Sequence, residues 1–368
     1  MIFPEPTEEQ RALRASSLAL IERTMPLRRV RELAEAPARV DTDHRRLAGE
    51  MGWFTLLGGP PDERSARLFG AATVAEARGA HLQPGTFVAA NLLANVDTDR
   101  PSGDEVDRVK AEVACGDAAI TWVCTDAMGH WGTDVVAGAA DTGYRLDGIS
   151  GLVQDGHLVE WLLVRAQVDG AIGTFLVAAD TPGVSITALE GLDLTRRWSR
   201  VLFNNVQVMS RSRLVEPGLD TIEDRHLQIA ATLTVCETVG AIDQLFTSTV
   251  QYAKDRVAFG RPIGSFQAIK HLLADASVSL ETSKAMAEAA VVAVGTEAAD
   301  AAQVVSMAKS YVGDASLDVV NACWQTHGGI AYTWQHDFHL YLRRVATDAA
   351  LYGDPTWHRE QLCRVATS

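Results

Sequence analysis

The spacing of apolar residues changes twice along the 368 residues, and this change restricts the fold more than any other feature. Residues 1–112 carry apolar residues at helical spacing, 113–215 carry short alternating or apolar runs separated by turn pairs, and 216–368 return to helical spacing. We therefore predict an α+β chain that is mostly α. It should contain an N-terminal helical domain, a middle antiparallel β domain of barrel or sandwich type, and a C-terminal four-helix bundle.

Local signals agree with this division. Thr7-Glu8-Glu9-Gln10 has the pattern of a capping box and predicts a helix that continues to about Arg23. The pairs Asp155-Gly156 and Asp169-Gly170 are typical of tight turns between strands.

Composition narrows the class of protein. The net charge of −14 argues against nucleic acid or an anionic membrane as the main partner. No uninterrupted apolar run approaches the roughly 18 residues that a membrane span needs, and the start MIFPEPTEEQ lacks the basic and apolar regions of a signal peptide. The five cysteines are scattered, as expected of reduced thiols. We expect a cytoplasmic protein.

Residues 255–271, DRVAFGRPIGSFQAIKH, carry more polar and aromatic side chains than a connector between helices needs. The glycine, proline and serine are explained by a helix that ends at Gly260 and a second helix that begins after a serine cap. Arg256, Phe259 and Gln267 are not explained in this way. A guanidinium suits a phosphate, a phenyl ring suits a heterocycle, and an amide offers a hydrogen-bonding edge. A nucleotide-like anion and an ordinary connector are both open interpretations.

A second segment, QTHGGIAYTWQHDFHLYLRR at residues 325–344, carries the pair Gly328-Gly329 at the predicted end of a long helix. The absence of side chains lets a ligand or another backbone approach closely, although a helix cap followed by a turn would use the same residues. The histidines at 336 and 339 have a two-ligand spacing with no third ligand in view, so no metal is expected.

Together, R-x-x-F-G-x-P-I-x-x-F-Q and Q-x-H-G-G, about sixty residues apart, resemble the marks of the acyl-CoA dehydrogenase family. The resemblance covers the whole chain and is strongest over 250–345, and LDLTRR at 192–197 is typical of one branch. It implies FAD as cofactor, removal of two hydrogens from an acyl-CoA, tetramers, and an electron-transfer flavoprotein as acceptor. In such tetramers the neighbouring subunit holds the ADP half of each flavin. The implied contacts to the pyrophosphate, diphosphate and ribose are Arg256, Phe259, Gln267, Gln325, Gly328 and Gly329.

The glutamate base of the family is missing from both of its usual places. One place falls on Tyr352, or on Gly353 with a one-residue shift, and the other falls on Ala230. The nearest acids, Glu237 and Asp354, are weak candidates for the base, and each has the alternative of being an ordinary surface or capping acid.

The segments that flank the flavin ring in this family also depart from the pattern. Residues 150–154, Ser-Gly-Leu-Val-Gln, replace a segment that carries a Trp and a Thr, and only Thr125 matches the other segment. Residues that serve a neighbour's FAD are therefore present, whereas those that serve the chain's own flavin ring are altered.

The resemblance favours a subunit of an FAD-dependent acyl-CoA dehydrogenase of fatty acid or steroid side-chain β-oxidation. An α2β2 heterotetramer, in which this chain completes the FAD site of its partner, explains the pattern. Two alternatives stay open. One is a self-sufficient homotetramer with a relocated base, and the other is a cofactor-free structural subunit.

Overall fold

The computed structural model describes residues 2–36, 41–60, 63–96, 104–215 and 220–367. Its N-terminal region is helical, and the predicted capping box is present: Thr7 Oγ1 accepts from the backbone N–H of Gln10, whose side chain accepts from the N–H of Thr7. The helices described here are α1 (Glu8–Thr24), α2 (Leu27–Ala34), α3 (Thr42–Glu50), α4 (Arg64–Ala80), α5 (Phe87–Asn95) and α6 (Asp104–Ala114).

The middle region folds into an eight-stranded sheet whose main path has the order β6-β7-β3-β2-β4-β5-β8, with β1 attached to β4. The predicted antiparallel β domain is confirmed, and β4 adds parallel pairs with β1 and β2. The strands are β1 (Ile120–Val123), β2 (Val136–Ala140), β3 (Gly143–Gln154), β4 (Trp161–Val168), β5 (Ala171–Ala178), β6 (Val184–Leu189), β7 (Trp198–Met209) and β8 (Arg213–Val215).

The C-terminal region is the predicted helical bundle, in which α9 packs against four other helices of the region. The helices are α7 (Asp220–Asp255), α8 (Gln267–Gly295), α9 (Ala301–His327), α10 (Phe338–Ala350) and α11 (Pro355–Thr367). The changes of structure at 114–120 and 215–220 lie near the predicted domain limits, and the division into domains stays a prediction.

One helix is apolar enough on average to cross a membrane, although it has no uninterrupted apolar run of about 18 residues. Arg225–Asp255 has the length and hydropathy of a span, but 83% of its most apolar window is buried inside the protein. This is the pattern of a bundle's core helix.

Two helices from different regions approach each other at glycines. A Cβ added to Gly79 on α4 would lie 1.9 Å from the backbone oxygen of Glu237, and one added to Gly240 on α7 would lie 2.0 Å from that of Glu76. Since no side chain fits between these backbones, α4 and α7 are in direct contact, and Arg78 is brought beside Glu237.

Candidate functional site

The end of α7 lies beside the end of α9. The Tyr252 ring stacks on the His327 ring, with centroids 4.4 Å apart and planes 14° apart. Arg256 follows Tyr252 by one helical turn and donates its backbone N–H to the Tyr252 carbonyl over 2.8 Å. Gly328 follows His327 directly. The two sequence motifs therefore meet at one end of the bundle.

The connector after α7 is a β-hairpin, so the prediction that the helix continues to Gly260 was wrong. The helix ends at Asp255, and β9 (Val257–Ala258) pairs with β10 (Arg261–Pro262). Phe259 and Gly260 form the turn with φ angles of 53° and 80°, as a two-residue hairpin turn of the primed type requires. The predicted serine cap was also wrong, because α8 begins after Phe266 without a side-chain cap.

We use the name motif surface for the six residues of the two motifs that the resemblance assigns to FAD contacts. Phe259 is 95% exposed, and the other members are exposed or half-exposed. A Cβ added to Gly328 or Gly329 would meet nothing within 4 Å, and among the described residues the Arg256 guanidinium has no ion-pair partner. The surface consists of Arg256, Phe259, Gln267, Gln325, Gly328 and Gly329. These side chains and glycines face away from the chain's own core.

A cleft lies where the three regions of the chain meet, and Tyr352, one of the two positions expected for the base, lines it. Ala230 is fully buried in the core of α7. The Tyr352 ring packs at 5.6 Å from Trp122, and Trp122 packs at 5.3 Å from Trp131. The remaining cavity volume of the cleft is about 40 Å³. That is room for a few water molecules, whereas ligand pockets usually measure roughly 300–1,000 Å³.

Glu237 lines this cleft as part of a buried ion-pair network. It is 3% exposed, and its two oxygens lie 3.3 Å from Arg78 Nε and 2.5 Å from Arg196 Nη2. Arg196 also pairs with the buried Asp348. Burial lowers the pKa of Arg78 to about 10. Burial opposes the charge on Arg196 as well, but Asp348 and Glu237 outweigh this effect and raise its pKa. Both carboxylate oxygens of Glu237 are thus engaged by guanidinium groups.

The network continues into α9 and α10. Arg344 Nε donates to Asp193 Oδ2 over 2.7 Å, and both side chains are fully buried. Lys309 Nζ donates to the carbonyl oxygens of Asp348 and Ala349 at the end of α10, over 2.6 and 3.0 Å. Burial lowers the pKa of Lys309 to about 8. This network was not predicted from the sequence, although Asp193 and Arg196 belong to the segment LDLTRR at 192–197.

Asp354 has a different role from that of a buried acid. It is exposed, and its Oδ1 accepts from the backbone N–H of Trp357 over 2.7 Å at the start of α11. This is the geometry of a helix N-cap. Gly353 before it has a φ of 93°, and an added Cβ would lie 2.6 Å from the Trp357 ring.

Thr125 joins two segments of the β domain. Its hydroxyl lies 2.8 Å from Ser150 Oγ and donates to the carbonyl of Gly151. The hydroxyl is therefore engaged within the chain. In the described part of the chain, no group of three or more His, Cys, Asp or Glu side chains could hold a metal ion.

Comparison with known proteins identifies the region that carries the motif surface. Residues 216–367 match the family "Acyl-CoA dehydrogenase, C-terminal domain". The C-terminal region is therefore similar to the C-terminal domain of acyl-CoA dehydrogenases. The acyl-CoA dehydrogenase IpdE2 of Mycolicibacterium smegmatis is 34% identical over 209 residues, which are 54% of this chain and 59% of the relative. The chain thus matches somewhat more than half of the length of this curated relative.

Solved structures extend the likeness to the whole chain. The ChsE4–ChsE5 complex from Mycobacterium tuberculosis is 24% identical with a TM-score of 0.87, covering 99% of this chain and 98% of that chain. A Tcur3481–Tcur3483 steroid ACAD variant is 23% identical with a TM-score of 0.84, covering 98% and 99%. A glutaryl-CoA dehydrogenase from Mycobacterium smegmatis in complex with FADH2 is 18% identical with a TM-score of 0.84, covering 98% and 95%. The predicted family resemblance and the acyl-CoA dehydrogenase fold are confirmed.

Proposed function

We propose that this chain is a subunit of an FAD-dependent acyl-CoA dehydrogenase and that it completes the FAD site of a partner subunit. The enzyme would be an oxidoreductase that acts on the CH–CH bond next to the thioester of an acyl-CoA. The observation that carries the proposal is the motif surface, whose binding groups face outward, while the chain's own cleft is filled.

The residues of the motif surface fit the ADP half of FAD. The Arg256 guanidinium would donate to pyrophosphate oxygens, and the amides of Gln267 and Gln325 would supply neutral hydrogen bonds. The open space at Gly328 and Gly329 would let the diphosphate approach the backbone. Bound FAD would supply the acceptor for the β-hydride of the substrate. The FADH2 complex of the glutaryl-CoA dehydrogenase supports this choice of cofactor.

The filled cleft supports an arrangement with two kinds of subunit. Glu237 is held by two arginines, and Tyr352 and Ala230 stand where the resemblance places the base, so the partner would supply the base and hold the flavin ring. The ChsE4–ChsE5 and Tcur3481–Tcur3483 structures pair two differently named chains, which supports an α2β2 heterotetramer. We infer a fatty or steroid side-chain acyl-CoA as substrate, because one of these structures is a steroid ACAD.

The cellular location, the electron acceptor and the expected partners follow from the same proposal. We infer a cytoplasmic enzyme of β-oxidation with an electron-transfer flavoprotein as its electron acceptor. Nucleic acid and membrane are not expected partners, given the net charge of −14 and the burial of the apolar helix α7.

The self-sufficient homotetramer is less well supported. A base needs a free carboxylate that reaches the substrate, but both oxygens of Glu237 contact arginines, and Asp354 caps α11. The cofactor-free structural subunit shares the filled cleft with our proposal but gives no role to an outward-facing Arg256.

The experiment compares this chain alone with the chain co-expressed with a candidate partner, a second acyl-CoA dehydrogenase-like chain from the same organism. We expect little flavin and no acyl-CoA dehydrogenation from the chain alone, and stoichiometric FAD per heterodimer in the complex. In the complex, Arg256→Ala should reduce FAD retention. Arg145→Ala, which removes a surface arginine paired with Asp147 in the β domain, is the matched control.

Two results would contradict the proposal. A yellow, fully active enzyme from the chain alone would establish the homotetramer. Flavin content unaffected by Arg256→Ala in an intact complex would support the structural subunit.

A further inference from the structure

A second cavity lies between the N-terminal helices and the β domain, next to the cleft. Its volume is about 110 Å³, and most of its walls are apolar. Gly85, Thr86 and Phe87, at the start of α5, line both spaces. The main apolar side chains of the walls are Met25, Val30, Leu33, Phe54, Phe87 and Leu194.

His44 on α3 is the polar residue of this cavity that lacks a full set of partners. It is 6% exposed, and its Nδ1 lies 2.7 Å from Thr24 Oγ1. The Thr24 hydroxyl donates its single proton to the carbonyl of Leu20 over 2.8 Å. With that proton directed at Leu20, His44 Nδ1 donates to Thr24 Oγ1, and this arrangement assigns the ring proton to Nδ1.

The other ring nitrogen is then an acceptor. Burial, and next the charge of Arg78, lower the pKa of His44 to about 4, so the ring is neutral near pH 7. Within the described ranges, the buried Nε2 atom has no hydrogen-bond partner. A buried polar atom without a partner needs an explanation, and that of His44 belongs to a residue that lines a cavity.

The charged residues of the walls are already engaged. Asp41 accepts from the N–H of His44 over 3.0 Å, and Arg45 donates to the carbonyl of Gly116 over 2.9 Å. Asp155 accepts from the N–H of Arg197 over 3.1 Å. A neutral ligand therefore suits the cavity better than an ion. A water at Nε2 would find few further partners on apolar walls, whereas buried waters usually make about three hydrogen bonds.

We propose that this cavity binds a small apolar molecule, or the apolar end of a larger one, that carries one hydroxyl group. The hydroxyl donates to His44 Nε2, and the ring or chain packs against the apolar walls. This site is independent of the proposed FAD site, because it requires neither the motif surface nor a partner subunit.

The test uses phenol and toluene as probes, because both have one aromatic ring and only phenol has a donor. Each is titrated into the full-length chain by calorimetry. We expect phenol to bind about 3- to 10-fold more tightly than toluene, which is the contribution of one hydrogen bond. His44→Leu should remove this preference while toluene still binds.

Ala90 lines the cavity and is 3% exposed, so Ala90→Leu should fill the space and weaken the binding of both probes at least about tenfold. Ala268→Leu, at an exposed position on α8, is the matched control and should bind both probes normally. The unmodified chain alone is enough to overturn the proposal. Equal affinities for phenol and toluene, or no binding of either, would mean that Nε2 takes no hydroxyl ligand. Unchanged phenol binding in a folded Ala90→Leu variant would place the probe elsewhere.

Discussion

Replacing Glu237 by glutamine separates a structural role from a catalytic one. The change keeps the shape of the side chain and removes the charge that two buried arginines share. Arg196 keeps its pair with Asp348, but Arg78 loses its carboxylate partner in the described structure and keeps the carbonyl of Pro84 and the Trp53 and Phe87 rings.

The expected loss of unfolding free energy follows from this difference between Arg78 and Arg196. Removing one partner of a buried pair costs about 3–5 kcal/mol, and since only Arg78 is left without a carboxylate, we expect the lower end, about 3 kcal/mol. A working general base contributes about 10²–10⁴-fold to the rate. If Glu237 is structural, the variant should lose unfolding free energy while turnover per bound flavin of the assembled enzyme stays within a few-fold of normal.

The assay is urea unfolding followed by circular dichroism, together with acyl-CoA dehydrogenation per flavin in the co-expressed complex. Asp243→Asn on the same helix is the matched control, because its pair with Lys284 at 2.8 Å is partly exposed and is worth about 0–1 kcal/mol. A loss of turnover of about a hundredfold or more, with the unfolding curve and flavin content unchanged, would refute the structural assignment and place the base in this chain.

Three further predictions concern the cofactor contact, the helix cap and the buried histidines. Arg256→Ala should weaken FAD retention in the complex about ten- to a hundredfold, or about 1.5–3 kcal/mol, with little change in folding. Flavin absorbance after dialysis measures the retained FAD, and full retention would argue against a diphosphate contact. Asp354→Ala should cost about 1 kcal/mol in urea unfolding through loss of the α11 cap, while Asp354→Asn, which can still cap, should be nearly neutral; a large loss of turnover in either would show a catalytic role. Burial lowers the pKa values of His44 and His358 to about 4. Below about pH 6.5 the two histidines therefore bind protons in the unfolded chain but not in the folded chain. The free energy of unfolding should fall as the pH drops from about 6.5 towards 4. Each histidine contributes up to about 1.4 kcal/mol per pH unit, and His358→Gln should flatten this dependence in urea titrations at pH 7 and 5; an unchanged slope would contradict it.

Much of the fold could be read from short-range patterns. The capping box at Thr7–Gln10, the alternation of 113–215 and the helical spacing after 216 each depend on residues close together in the chain, so the backbone's own geometry reveals them. The motif surface was also predicted, because two unusual segments carried it and their chemistry did not suit a plain connector. The hairpin conformation of the connector was not predicted, because Phe259-Gly260 is an unusual pair for a hairpin turn and resembles a helix end.

The sequence by itself predicted the order of helical and strand regions and the family resemblance, and it has Ala at 230 and Tyr at 352, the positions where we expected the base. Only the tertiary structure decided which charged residues are buried and which residues they pair with. Arg78, Asp193, Glu237 and Asp348 look like surface charges in the sequence, because a charge carries no local sign of burial. They are buried because segments distant in the chain meet there. The contact of α4 and α7 at Gly79 and Gly240 puts Arg78 beside Glu237, and in the interior each charge requires a partner.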